Sequence, residues 1–247
     1  LIASENALVY TYVMYLIGKY DFGVEAAALR KLVSQWFYMV SVTAYYSTST
    51  ETTVQADLNA IEELENTEDF FHFIASKINS VFTNDYFEIS LPNELNSSAA
   101  ISPAWYGYCA AQNVLDSSVL FSFIPMRNLF APGASGTKMA IEKHHLFPKA
   151  WLSRKGITKD RDRNRIANFA YIEWKDNLEI SDEEPARYWQ KLSENFSNAD
   201  VKKMMADNAL PDNWFHMDYF AFLAERRKRM ARIIRKGYER LKQGPLV

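Results

Sequence analysis

Along residues 1–80, apolar side chains recur three and four positions apart, the spacing of one helical face. Ala7 to Ile17 is an apolar run too short for the roughly 20 residues that cross a bilayer. With no basic segment or small-residue cleavage site beside it, it predicts a buried helix rather than a signal peptide. Between Val24 and Tyr46, the residues Leu29, Leu32, Val33, Trp36, Phe37 and Val40 mark a second helix. Thr50 can cap a third, carrying Val54, Leu58, Ile61 and Leu64, and Thr67 with Glu68 and Asp69 can open a fourth through Phe71, Ile74, Ile78 and Val81. Trp36, Phe37, Tyr45, Tyr46, Phe70, Phe71 and Phe73 fall on these helices. Large apolar side chains favour burial, so they predict a helical core rather than a base-stacking surface. His72 shows no ligand partner and is expected to be an ordinary core or surface histidine.

Asn84 to Asn96 is turn-rich around a strand-like FEISL, and a helical region follows from Pro103 to about Leu115. APGASGT, Ala131–Thr137, concentrates Gly, Pro and Ser and predicts a domain boundary, dividing a helical unit, 1–133, from a second unit, 134–247. No Gly-Lys-Ser/Thr closes that run, so it is not a phosphate loop. Beyond it, Ser181 can cap a helix with Pro185 in its first turns, and Asn198 another through Met204 and Met205. The last helix is predicted from Met217 to Lys242, with Phe220, Leu223, Met230, Ile234 and Leu241 as its apolar stripe.

Composition changes this picture in two ways. The net charge of −2 conceals a division: residues 1–137 hold 5 Lys and Arg against 14 Asp and Glu, a balance of −9, and residues 138–247 hold 23 against 16, or +7. The second part is therefore the one suited to a polyanion. The single cysteine, Cys109, excludes an internal disulfide and a thiolate zinc site, which suits a reducing cytoplasm. The chain begins at Leu1, so it is expected to be a piece of something longer.

Candidate chemistry lies between Glu142 and Pro185, where HHLFPKAWL begins at His144 and is followed by Asn168 and Asn177. Phosphodiester hydrolysis needs a base for water, a divalent ion at the phosphate and a group that aims the base. His145 can be the base, because a neutral imidazole accepts a proton near physiological pH. His144 points the other way along an extended segment and can be a metal ligand. Asn168, in the strand-like NFAYI, can accept from the His145 ring and set its tautomer. Asn177, just inside a following helix, can supply a second ligand oxygen. Oxygen with one imidazole suits Mg²⁺ or Mn²⁺ better than zinc. Lys149, Arg154 and Lys155 after the histidines, with Arg226, Arg227, Arg229, Arg232, Arg235 and Lys236 on the last helix, are candidate phosphate contacts. Trp151 and Leu152 are expected to anchor their segment in the core.

HHLFPKAWL, IANFAYIEW and DNLEISDEEPARYW resemble the HNH-type C-terminal domain of the GmrSD-like, modification-dependent restriction endonucleases. The likeness extends to LPDNWFHMDYFAFLAERRK and, in the helical half, to WFYMVSVTAYYSTSTE. It implies a mainly α (α+β) architecture, an acidic helical bundle followed by a ββα-metal unit embedded in helices. It also implies a strand ending at the histidines, a second strand carrying Asn168 and a helix carrying Asn177. His145 matches the base, His144 a ligand position often held by aspartate, Asn168 the orienting residue and Asn177 the closing ligand, where the HNH name implies His. The resemblance implies a bacterial defence enzyme cutting modified DNA, with an N-terminal nucleotide-handling domain absent from this chain. Two other classes stay open from the residues alone. One is a non-catalytic nucleic-acid-binding module and the other a subunit that docks on a partner. Nothing in the sequence separates DNA from RNA.

Overall fold

The computed structural model describes residues 4–99, 101–130 and 141–244. Helices α1 (Glu5–Tyr20), α2 (Ala26–Val42), α3 (Thr50–Glu62) and α4 (Thr67–Val81) form where the apolar spacing predicts them. Helix α4 starts at Thr67 as expected, whereas Thr50, expected to cap α3, is instead its first residue. Asn66, not Thr67, accepts from Asp69 N at 3.0 Å, and the Thr67 hydroxyl donates to Phe22 O at 2.6 Å. The Thr50 hydroxyl donates back to Tyr46 O at 2.7 Å. Trp36, Tyr46 and Phe70 are buried, and Phe37, Tyr45, Phe71 and Phe73 pack against them, as the helical spacing predicts. His72 is a surface residue 3.6 Å from Glu68, one turn earlier.

FEISL is not a strand. Tyr86–Ser90 is a single π turn running into a short helix, α5 (Leu91–Glu94). A strand would bury Phe87, Ile89 and Leu91 together, but Ile89 is 59% exposed while Phe87 and Leu91, four apart, are buried. Helix α6 (Pro103–Val114) starts with Pro103 in its first turn behind the Ser102 cap.

The expected boundary at Ala131–Thr137 lies outside the described residues. After it come β1 (Ile141–His145), the short helices α7 (Lys149–Arg154) and α8 (Asp160–Arg163), β2 (Phe169–Glu173) and α9 (Trp174–Ile180). The strands pair antiparallel, His144 opposite Ala170 and His145 opposite Phe169, and α9 packs on both. The order is thus β-β-α, with two short helices in the connection. Helix α10 (Pro185–Ser193) follows Glu184, while Ser181 ends α9 rather than capping α10. Helix α11 (Asn198–Asp207) is capped by Ser197, one residue before the expected Asn198.

Helix α12 (Tyr219–Lys242) packs against α6 and α2, so one continuous core joins residues on both sides of the undescribed segment. Leu223, Met230, Ile234 and Leu241 are buried as the stripe predicts. Phe220 is not: it is 51% exposed, because Tyr219 and Phe222 fill the core side of that turn around Phe147. Gly237 allows the close approach of α12. A Cβ there would meet Tyr38 Oη at 2.8 Å and the Ala111 backbone at 3.0 Å, and Tyr38 is itself held by donating to Ile234 O. Overpacking of this kind costs about 1–3 kcal/mol, against the roughly 1 kcal/mol that Ala gains over Gly inside a helix. Gly237→Ala is therefore expected to lower the denaturation midpoint in urea. A raised midpoint would show that the helices separate freely.

Candidate active site

Along β1, alternation sends Glu142 and His144 to one face and Lys143 and His145 to the other. On the first face, Asn177 arrives from the first turns of α9. Its Nδ2 donates to Glu142 Oε2 at 2.7 Å, and its Oδ1 lies 2.7 Å from His144 Nδ1. The carboxylate can only accept, so it fixes which way the amide faces. Asn177 Oδ1 then accepts from His144, which places the imidazole proton on Nδ1. His144 is 5% exposed, and its Nε2 is buried without a partner. Burial lowers its pKa from 6.5 to about 4, against the opposing effect of the Asn177 hydrogen bond. The two expected metal ligands are thus neighbours.

His145, on the other face, is half-buried with its ring edge-on to Phe169, centroids 4.7 Å apart. Burial also lowers its pKa, as do the charges of Lys149, Lys143 and Arg163. Its Nε2 lies 3.0 Å from Asn164 Oδ1. With that oxygen facing the ring, Nε2 carries the proton and Nδ1 keeps its lone pair as the free base.

Asn168 does not hold His145. It is fully buried in the 3₁₀ turn Ile166–Asn168 before β2, not in the strand. Its Oδ1 accepts from Phe147 N at 2.9 Å, and its Nδ2 donates to Phe147 O at 3.0 Å and Arg163 O at 3.1 Å. A buried side-chain amide with backbone groups in reach satisfies them first, so Asn168 clamps the loop between His145 and α7. Orienting His145 falls to Asn164, an unremarkable residue in RDRNR. Glu142 is the other group that the sequence did not single out. Its only signal was its place two residues before His144, on the same face.

The basic candidates divide. Arg226 is 0% exposed and donates to Ala167 O and Asn208 O, so it is a core residue and not a phosphate contact. Three residues after Leu223 and four before Met230, it lies on the buried face of α12 despite its charge. Arg227 and Arg235 face Asn96 and Asn84, each donating at 2.7 Å, while Arg229, Arg232 and Lys236 line a hollow beside α11. The charges of α12 therefore lie on two flanks rather than in one stripe. Lys149, Arg232 and Lys236 are exposed. Arg154 and Lys155 border a cleft of about 740 Å³ that also holds Arg187, Lys191 and four acidic residues. Arg154 pairs there with Asp182 at 2.6 Å, and Lys155 lies over the Trp151 ring. An exposed pair of this kind is worth about 0–1 kcal/mol, so a phosphate can replace it. Leu152 is buried, and Trp151 packs half-buried against the core.

No family model, curated protein or solved structure matches the chain. No three His, Cys, Asp or Glu side chains gather into a metal site among the described residues. The donor set on this face is instead mixed: one imidazole, one amide and one carboxylate. The 2.7 Å between His144 Nδ1 and Asn177 Oδ1 is the hydrogen bond that joins them, so an ion here would take the place of its proton, and the fit rests on donor type: imidazole nitrogen with amide and carboxylate oxygen. These residues fit a small divalent ion. No described helix is long and apolar enough to cross a membrane.

The depressed His144 pKa makes stability depend on acid. The unfolded chain, with a pKa near 6.5, binds the proton before the folded one does, so stability is complete above about pH 6.5 and is lost as pH falls toward about 4. Urea midpoints of the metal-free protein between neutral pH and about pH 4 are expected to fall more steeply than those of His144→Gln. Parallel profiles would place the acid sensitivity elsewhere.

Proposed function

We propose that this chain is a metal-dependent endonuclease that hydrolyses phosphodiester bonds in DNA through an HNH-type β-β-α site. The observation that carries this is the 2.7 Å approach of His144 and Asn177, from the first strand and the following helix, with His145 next in sequence at the strand end. His145 takes a proton from the attacking water through Nδ1, and Asn164 keeps its ring in place. Asn168 holds the loop that follows the base. His144 and Asn177 hold Mg²⁺ or Mn²⁺, which when bound neutralises charge on the scissile phosphate and the leaving oxygen. Lys149, Arg232 and Lys236 are the exposed cations proposed to meet the phosphate backbone. The resemblance of the motifs supports a role in a bacterial restriction system, in the cytoplasm and beside a nucleotide-handling partner.

The test is relaxation of supercoiled plasmid. Nicking is expected with Mn²⁺ or Mg²⁺ and is expected to stop when the ion is chelated. Salt-sensitive DNA binding without metal-dependent nicking would instead favour a binding module. One observation supports a docking role as well: the outer side of α1 exposes Leu8, Val9, Tyr12 and Tyr20.

A further inference from the structure

We propose that Glu142 is the third protein ligand of this site and the source of its negative charge. The inference rests on the metal-site reading of His144 and Asn177 and goes beyond it. Both of those donors are neutral, and a pair of neutral donors is a poor host for a hard dication, which takes carboxylate oxygen first. Glu142 stands on the same face of β1 as His144, two residues away, and its Oε2 is already 2.7 Å from the Asn177 amide. It is half-buried, and no Lys or Arg is within ion-pair distance of it among the described residues. Its carboxylate accepts from the Asn177 N–H₂, and His144 Nδ1 faces Asn177 Oδ1 through a proton.

Turning the carboxylate from the amide to an ion, with the imidazole proton moved from Nδ1 to Nε2, would give three donors from three side chains. Because Nε2 is buried with no acceptor at hand, that proton shift opposes binding, and the affinity is expected to be modest. The carboxylate is then decisive, since it is the one favourable charge available.

The experiment is Mn²⁺ binding by the full chain, read by the loss of free-ion electron paramagnetic resonance signal and by calorimetric titration to millimolar concentrations. Nuclease activity is not needed. Glu142→Gln keeps one oxygen to accept from Asn177, removes the charge and replaces the other oxygen with an N–H₂ group. Its Mn²⁺ affinity is expected to fall by more than roughly a hundredfold, beyond the 10–100-fold that follows loss of a residue that merely orients a ligand. A smaller loss overturns the proposal and leaves Glu142 as a positioning residue, with the His144 and Asn177 site intact. Glu142→Asp keeps the charge on a shorter stem and is expected to bind more tightly than Glu142→Gln. Equal binding by these two variants also overturns it. Absence of Mn²⁺ binding by the unaltered chain would remove the metal site itself, and this inference with it.

Discussion

His145→Ala is expected to lower metal-dependent nicking by ~10²–10⁴-fold, the range that a positioned general base contributes. The ring has one nitrogen engaged by Asn164 and the other free, which is the state a base needs. Burial lowers its pKa, so the imidazole is neutral at physiological pH and ready to accept a proton. The substitution also removes an edge-on contact with Phe169, so activity must be compared at matched foldedness, checked by thermal melting. Asn164→Ala separates the two effects. It leaves the base and its packing in place but unheld, and is expected to cost roughly tenfold to a hundredfold, as loss of an orienting partner does. Nicking by His145→Ala within about tenfold of the unaltered chain would assign the base elsewhere.

The second large effect is on stability. Arg226→Ala is expected to destabilise the fold by about 3–5 kcal/mol, from a large cavity and from buried carbonyls left without donors. The guanidinium has no carboxylate partner. It is bonded through NH1 to Ala167 O at 2.8 Å and through Nε and NH2 to Asn208 O. It thereby ties α12 to the loop after α11 and to the turn before β2. Ala167 immediately precedes Asn168, so the same bonds support the clamp on Phe147 and the loop after His145. Arg226→Lys is expected to recover little, because one ammonium on a flexible stem cannot span both carbonyls in the planar fork geometry. Arg226→Met fills the space without the charge and is expected to fall between Ala and the unaltered chain. Urea denaturation measures all three, and a change under about 1 kcal/mol for Arg226→Ala would show that the buried cation is dispensable.

Arg226 also shows where sequence patterns stop. In sequence it stands in the basic run Arg226–Arg229, but its spacing, three residues after Leu223 and four before Met230, puts it beside the apolar stripe, and only its residue type argued for the surface. Burial depends on what surrounds α12, and those neighbours, α2 and α6, lie more than a hundred residues earlier. The same holds for FEISL. Its composition is strand-like, but Ile89 faces outward and Phe87 and Leu91 inward, because the segment packs as a helical turn against α12. In the candidate site, the pairing of His144 with Asn177 was legible because both positions follow from local rules: alternation on a strand and the first turns of a helix. The partner of His145 was not. Asn164 and Asn168 are both asparagines in reach along the chain, and only the folded loop decides that Asn168 is consumed by the Phe147 backbone while Asn164 faces the ring.

Legible from the residues were the mainly helical character, the apolar faces of the first four helices and most of that of the last, and the face on which each histidine sits; the strand pair with its following helix was an expectation of the resemblance alone. The periodic features are set by neighbours within a few residues. Only the tertiary structure decided which charges are solvated, which asparagine holds which group, and that Glu142, Asn177 and His144 form one hydrogen-bonded row. Those outcomes depend on which buried polar groups compete for the same partners, and that competition exists only when distant segments are packed together.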